Sequence, residues 1–225
     1  MRGVFITGTD TEAGKSVLAA ATCAAASARG IRVAAYKPVV TGLDAPLGDW
    51  PRDHELLAAA ASAGQSPEDV APYRFGPPVS PHLAAQMAGA TIDPARLVAA
   101  AREQAARADA LVCEGVGGLL VPLSADYLVR DLIGELSLPV VIAARPGLGT
   151  ISHSLLTVEA ARAVALRVQA VVLTPWPEEP SEMEQSNRET IERFAEVPVL
   201  GLPATDPAHL EEAGAGLPVS DWLSP

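Results

Sequence analysis

The chain has 225 residues, 49% of them hydrophobic, which is enough for one substantial buried core. Its formal net charge is −11, a balance that repels polyphosphate chains and anionic lipid and argues against nucleic acid or a membrane surface as partner. Two cysteines, Cys23 and Cys113, stand in apolar runs, which excludes a disulfide framework and offers no zinc-like spacing.

Residues 3–7 read as a short buried strand ending at Gly8, an apolar stretch too short for a signal-peptide core. With no run of about 18 apolar residues to span a bilayer, a cytoplasmic protein is expected. An Ala-rich helix is predicted over 15–28, ended by Gly30. Residues 32–40 read as a second strand, broken by Pro38, and 41–52 as an exposed Gly/Pro/Asp loop. Helices are predicted over 53–63, 80–89 and 94–108, with Asp53 near the first N-cap. Strands follow at 109–113 and 139–143, then a Gly-containing loop at 146–149 and a helix over 152–165. A strand at 168–173, a charged helix at 181–195 and a last strand at 197–202 precede a tail of weak helical character. Apolar runs alternating with helices of this length imply an α/β fold with a parallel sheet and crossover helices on both faces. Ligands collect at the carboxyl ends of such strands, which directs attention to the loops after residues 7, 40, 114, 143 and 173.

The first of these loops carries Gly8-Thr9-Asp10-Thr11-Glu12-Ala13-Gly14-Lys15-Ser16, between a strand and a helix. That context suits a phosphate-binding P-loop. Backbone N–H groups across Glu12, Ala13, Gly14, Lys15, Ser16 and Val17 cradle phosphate oxygens, the lysine reaches the outer phosphates, and the hydroxyl binds magnesium. Five residues separate Gly8 from Gly14 where the common pattern has four, but the Gly-Lys-Ser end matches. The fold expected is therefore a single-domain, P-loop NTPase-like α/β sheet over residues 1–225.

Lys37 lies in the apolar run Tyr36-Lys37-Pro38-Val39-Val40-Thr41-Gly42. A buried lysine needs an anionic partner, whereas one at a strand end can snorkel into water. Its place beside a phosphate loop favours a functional lysine. Glu114, before Gly115-Val116-Gly117-Gly118, offers a hard oxygen ligand at a strand end, and the glycines let backbone approach a bound group. Asp53 on its own reads as a helix cap.

Three blocks together, Gly-Thr-Asp-Thr-Glu-Ala-Gly-Lys-Ser, Tyr-Lys-Pro-Val-Val-Thr-Gly and Cys-Glu-Gly-Val-Gly-Gly, resemble dethiobiotin synthetase. Further similarity lies at Ser80-Pro81-His82, Gly149-Thr150-Ile151-Ser152-His153, Trp176-Pro177 and Ser186-Asn187-Arg188, covering roughly residues 4–205. The resemblance implies ATP-dependent closure of a cyclic urea from 7,8-diaminononanoate and carbon dioxide, giving dethiobiotin, ADP and phosphate. It implies catalytic roles for Lys37 and Lys15, with Thr11 and Thr41 orienting the substrate. Magnesium would be held by Ser16, Asp53 and Glu114, with Asp49 an open alternative to Asp53. Nucleotide contacts would extend to Gly115, Val116 and Gly117, to Thr174 and Pro175 at the base, and to Pro203, Ala204 and Thr205 on its other side. Where the family often presents an asparagine to the base, this chain has Thr174. The loop with Gly149 and Thr150 would hold the substrate carboxylate, contributed by the neighbouring subunit of a homodimer. His153 reads as capping or packing, His82 has no assigned role, and Asn187 reads as solvated surface on a charged helix.

Two other classes compete. A partitioning-type nucleotide switch resembles this chain in fold but carries a second lysine five residues before the P-loop lysine, where Asp10 stands here. A cobyrinate-type amidotransferase would need a glutaminase domain and a nucleophilic cysteine in a loop.

Overall fold

The computed structural model describes residues 1–224. In chain order the elements are β1 (Gly3–Gly8), α1 (Lys15–Ala28), β2 (Val33–Tyr36), β3 (Val39–Val40), α2 (Asp53–Ala60), α3 (Pro67–Val70) and β4 (Tyr73–Arg74). Next come α4 (Pro81–Met87), α5 (Pro94–Ala105), β5 (Ala110–Gly118), β6 (Pro122–Ser124), β7 (Tyr127–Leu128), α6 (Val129–Leu136) and β8 (Val140–Ala144). The chain ends with α7 (Thr150–Arg162), β9 (Val168–Trp176), α8 (Glu182–Ala195), β10 (Val199–Pro203), α9 (Leu210–Gly214) and α10 (Val219–Trp222).

Six strands form one parallel sheet in the order β10-β9-β8-β1-β5-β2. Its central strands are apolar on both sides because helices cover both faces. Along β1 the side chains alternate: Phe5 enters the layer with Leu97, Leu132 and Val158, whereas Val4 and Ile6 enter the layer with Leu18, Leu57 and Leu210. The sheet thus buries two cores, one under α4–α8 and the other under α1, α2 and the two C-terminal helices. Strand order reverses around β1, so the loop after it stands over the crevice where bound ligands collect.

The parallel sheet with helices on both faces matches the sequence reading. Several boundaries differ. The expected strand over 32–40 divides at Lys37-Pro38, since proline lacks the N–H that would continue the ladder. Beyond it, Val39 and Val40 pair with β4 in a separate two-stranded sheet. The strand expected at 109–113 runs on through the glycines to Gly118, where Gly8 pairs with it after a register shift. Glu114 therefore lies inside β5 and not at its end. The segment 119–138, read without structure, holds the β6–β7 hairpin and α6, whose Val129, Leu132, Ile133 and Leu136 are buried at helical spacing. The tail is structural: Leu217, Val219, Trp222 and Leu223 are buried against the α1 face of the sheet. Cys23 and Cys113 are both buried and unpaired. Among the described residues no helix is long and apolar enough to cross a membrane.

Candidate active site

The loop between β1 and α1 bends through two left-handed residues, Glu12 (φ 59) and Gly14 (φ 84). Such alternation turns successive N–H groups toward one concavity. Helix α1 opens at Gly14 with no side-chain cap, and among the described residues the N–H groups of 12–17 meet no protein acceptor. Free donors at a helix start form an anion site. Lys15 folds back over the loop, its Nζ donating to the Asp10 carbonyl at 2.8 Å. Burial holds the Lys15 pKa below its ordinary value, with Glu114 opposing and Lys37 assisting.

Lys37 closes the opposite wall. It follows β2, its N–H donates to the Val70 carbonyl at 2.9 Å, and the residue is only 3% exposed. Nζ lies 2.5 Å from Glu114 Oε1 and 2.8 Å from Asp53 Oδ2. The snorkelling alternative is therefore excluded. Burial alone would lower the Lys37 pKa, but Asp53 and Glu114 outweigh it and raise it above its ordinary value. Burial pushes the Glu114 carboxyl up against the attraction of Lys37. Burial acts the same way on half-exposed Asp53, yet the Lys37 ammonium prevails and holds that carboxyl down.

Ser16 Oγ donates to Glu114 Oε1 at 2.7 Å, which ties the end of the phosphate loop to β5. Glu114 Oε2 is buried without a hydrogen-bond partner, although the residue is fully enclosed. An orphaned carboxylate oxygen beside a hydroxyl and a second carboxylate is a hard-oxygen donor set that fits magnesium. Among the described residues no three His, Cys, Asp or Glu side chains gather into a cage. An ion here would complete its shell with phosphate and water oxygens, as magnesium usually does.

These groups line one cavity of about 840 Å³, together with Thr11, Glu12, Gly14, Val17, Thr41, Val116 and Gly117. Asp53 opens α2 as its first residue, one place inside the cap expected for it, while exposed Asp49 stays out of the cavity. Thr174 lies elsewhere, buried at the end of β9, where its methyl would stand 2.4 Å from a Cβ built on Gly14. It packs on the phosphate loop from the side away from Lys37. Pro175, Pro203 and Ala204 are exposed, and Thr205 half-buried, around the carboxyl ends of β9 and β10. Gly115 offers its carbonyl at 3.5 Å from Lys37 Nζ, and Ala13 is buried under the loop.

Gly149 and Thr150 do not reach this cavity. Gly149 (φ 92) opens α7 facing open space, and the Thr150 hydroxyl lies 3.4 Å from Ser154 Oγ. His153 is exposed, so it does not pack, and His82 is exposed on α4. The reading of Asn187 as solvated surface is corrected. It is buried, and its Nδ2 donates to the carbonyls of Pro146 at 3.0 Å and Gly147 at 3.3 Å, anchoring the loop before α7. Sequence reasoning gave no role to Trp50, Pro51 or the Pro78–Pro81 segment, of which only Ser80-Pro81 stood in a block of family resemblance; all of them line the cavity. A lone tryptophan within a Gly/Pro/Asp loop was the available signal.

Comparison with known proteins bears on the family and the fold. A family model described as an AAA domain matches residues 2–206. The ATP-dependent dethiobiotin synthetase BioD of Bacillus subtilis (strain 168) is 37% identical over 202 residues, 90% of this chain and 87% of the relative. The same enzyme from Anaeromyxobacter dehalogenans (strain 2CP-C) is 41% identical over 215 residues, covering 96% and 95%. Among solved structures, a ParA family ATPase from Chlorobium tepidum TLS superposes with a TM-score of 0.56 at 15% identity, covering 98% of this chain and 92% of that one. The septum site-determining protein MinD from Pyrococcus horikoshii OT3, complexed with Mg-ADP, gives 0.54 at 15% identity, covering 98% and 88%. At that identity the likeness establishes a shared fold only, while the sequence relatives decide the family. The chain belongs to the ATP-dependent dethiobiotin synthetase family.

Proposed function

We propose that the chain, acting as one domain, uses ATP to close 7,8-diaminononanoate and carbon dioxide into dethiobiotin, releasing ADP and phosphate. The observation that carries this reading is the convergence of Lys15, Lys37, Ser16, Asp53 and Glu114 on one cavity beside an open helix start. Ser16, Asp53 and Glu114 are the residues that would hold magnesium, which when bound supplies positive charge at the nucleotide's phosphates.

The chain's own groups account for the remaining chemistry. Carbon dioxide joins one amine as an anionic carbamate, and Thr11 and Thr41 orient it by hydrogen bonding from the cavity wall. Lys37 supplies the ammonium that stabilises this anion. A carbamate oxygen attacks the γ-phosphorus, the bond to the β,γ-bridging oxygen breaks and ADP leaves, while Lys15 with the loop N–H groups meets the charge that develops on the phosphoryl oxygens. The second amine then attacks the carbonyl carbon of the mixed anhydride, phosphate leaves, and the five-membered ring closes. No side-chain nucleophile is required; positioning two amines of one bound molecule supplies the advantage.

Thr174, which packs against Gly14 of the phosphate loop, and the segment 203–205, at the end of the neighbouring β10, are assigned to the base. Gly149 and Thr150 are assigned to the substrate carboxylate of a neighbouring subunit, because they lie outside their own chain's cavity. Leu148, 93% exposed, and Leu156, 62% exposed, lie on the same loop and helix and suit a homodimer contact. The deciding assay combines diaminononanoate, bicarbonate and several nucleoside triphosphates. Diamine-dependent ADP release with a ureido product is expected; ATP turnover indifferent to the diamine would overturn the reading and favour a nucleotide switch.

A further inference from the structure

Arg52 holds a position for which the catalytic roles above give no reason. Its guanidinium makes no ion pair among the described residues. Instead Nη1 donates to the Gly42 carbonyl at 3.0 Å, and Nη2 donates to the carbonyls of Leu43 at 2.9 Å and Ala45 at 2.5 Å. A planar cation with several N–H donors is the side chain best suited to grip consecutive carbonyls at once. Its main chain is fixed to the helix that follows. The Arg52 N–H donates to Glu55 Oε2 at 3.2 Å, and its carbonyl accepts from Leu56 N at 2.9 Å.

The gripped loop is held on its other edge as well. The N–H groups of Gly42, Leu43 and Asp44 donate to the carbonyls of Pro77, Phe75 and Gly76 at 3.0, 3.2 and 2.9 Å. Between loop and helix, residues 46–51 make no backbone–backbone hydrogen bond among the described residues. The intervening chain has no backbone ladder to set the distance between the two walls, and of its residues Trp50 packs on the core below. Arg52 can set that distance, since it spans the walls directly. On one side it holds the segment that begins at Thr41; on the other it immediately precedes Asp53, and both of those residues line the cavity.

We propose that Arg52 is a positioning residue: a clasp between the 42–45 loop and the start of α2 that fixes Thr41, on the substrate side, relative to Asp53, on the metal side. The proposal rests on the roles given to those two residues under the proposed function. The clasp itself touches neither substrate nor nucleotide.

The test compares wild type, Arg52→Ala and Arg52→Lys by hydrogen exchange, ADP affinity and steady-state kinetics with diamine and ATP. In Arg52→Ala, exchange at the amides of residues 42–45 should accelerate by about tenfold, because an unclasped loop opens locally. For the diamine, kcat/KM should fall by roughly 10- to 100-fold, the scale of a small misplacement of reacting groups. ADP affinity, set by the phosphate loop, should stay within about twofold. Arg52→Lys, whose point-like ammonium lacks the planar fork needed to span three carbonyls, should recover only part of the loss, and it carries the same comparison if the alanine variant does not fold.

Unchanged exchange at 42–45 overturns the clasp whatever the kinetics. Faster exchange with unaltered kcat/KM overturns its positioning role, and a parallel loss of ADP affinity and melting temperature reduces it to a general stabiliser. If wild type makes no ureido product, the assigned activity fails and the positioning role with it, while the exchange comparison still decides whether Arg52 clasps the loop.

Discussion

Lys37 concentrates the chemistry of this chain in one side chain. A lysine 3% exposed is tolerable only because two carboxylates face it, and the same pairing keeps it charged. Lys37→Ala is expected to lower kcat by about 100-fold or more, the scale for losing a preorganised charge at a developing anion. It should also cost about 3 kcal/mol in urea unfolding, since Glu114 and Asp53 are left facing each other without a cation. Magnesium should then raise the melting temperature of the variant more than that of wild type, and an equal response in both would contradict the shared use of these carboxylates. The pH dependence has a defined sign. The folded pKa of Lys37 is raised above its ordinary 10.5, so its contribution is fully present below pH 10.5 and is lost only as pH rises through the higher folded value. Between neutral pH and 10.5 the stability difference between wild type and Lys37→Met should therefore be flat, and above 10.5 it should shrink, as read by thermal melts across the alkaline range.

At the scale of elements, the site is made where strand ends meet helix starts. Gly14 shows how tightly these junctions are packed. Its φ of 84 disfavours any side chain, and an added Cβ would stand 2.4 Å from the Thr174 methyl. Gly14→Ala should destabilise the protein by about 1–3 kcal/mol and weaken nucleotide binding. Adding Thr174→Ser, which deletes the methyl, should return the steric share while leaving the conformational share, and a double-mutant cycle in urea separates them. Asn187 plays an equivalent part at α7. Its amide satisfies two carbonyls of the loop that precedes Gly149, so Asn187→Ala should raise KM for the diamine severalfold and lower stability by about 1 kcal/mol per bond lost. Unchanged KM would separate this loop from the substrate.

The whole molecule sets the distribution of charge and the surfaces left for association. A chain with a net charge of −11 can still bind a polyphosphate nucleotide, because Lys15, Lys37 and the free N–H groups act at short range within one walled cavity. Leu148 protrudes from the α7 side almost fully exposed. If this face joins two copies, Leu148→Asp should yield monomers at micromolar concentration by analytical ultracentrifugation, together with a raised KM for the diamine; a persistent dimer would exclude the face.

Much of this was legible along the chain. The Gly8–Ser16 loop is local chemistry, since its glycines, lysine and hydroxyl act within one strand-to-helix turn, and apolar runs alternating with helices are enough to dictate a parallel sheet. Other features were not legible. Asp53 and Asp49 look alike in sequence, and only the packing of α2 brings one of them to Lys37. Asn187 reads as surface on a charged helix until α8 is laid against the loop before α7. The α6 segment showed its helical spacing only once its buried face was known. What the sequence by itself determined was therefore the fold class and the phosphate loop, because both follow from residues close together in the chain. Tertiary structure alone decided which carboxylates meet Lys37 and which arginine grips the carbonyls of the 42–45 loop. Those contacts join residues far apart in sequence, or on either side of a span without its own hydrogen bonds, and no local pattern encodes where such spans return.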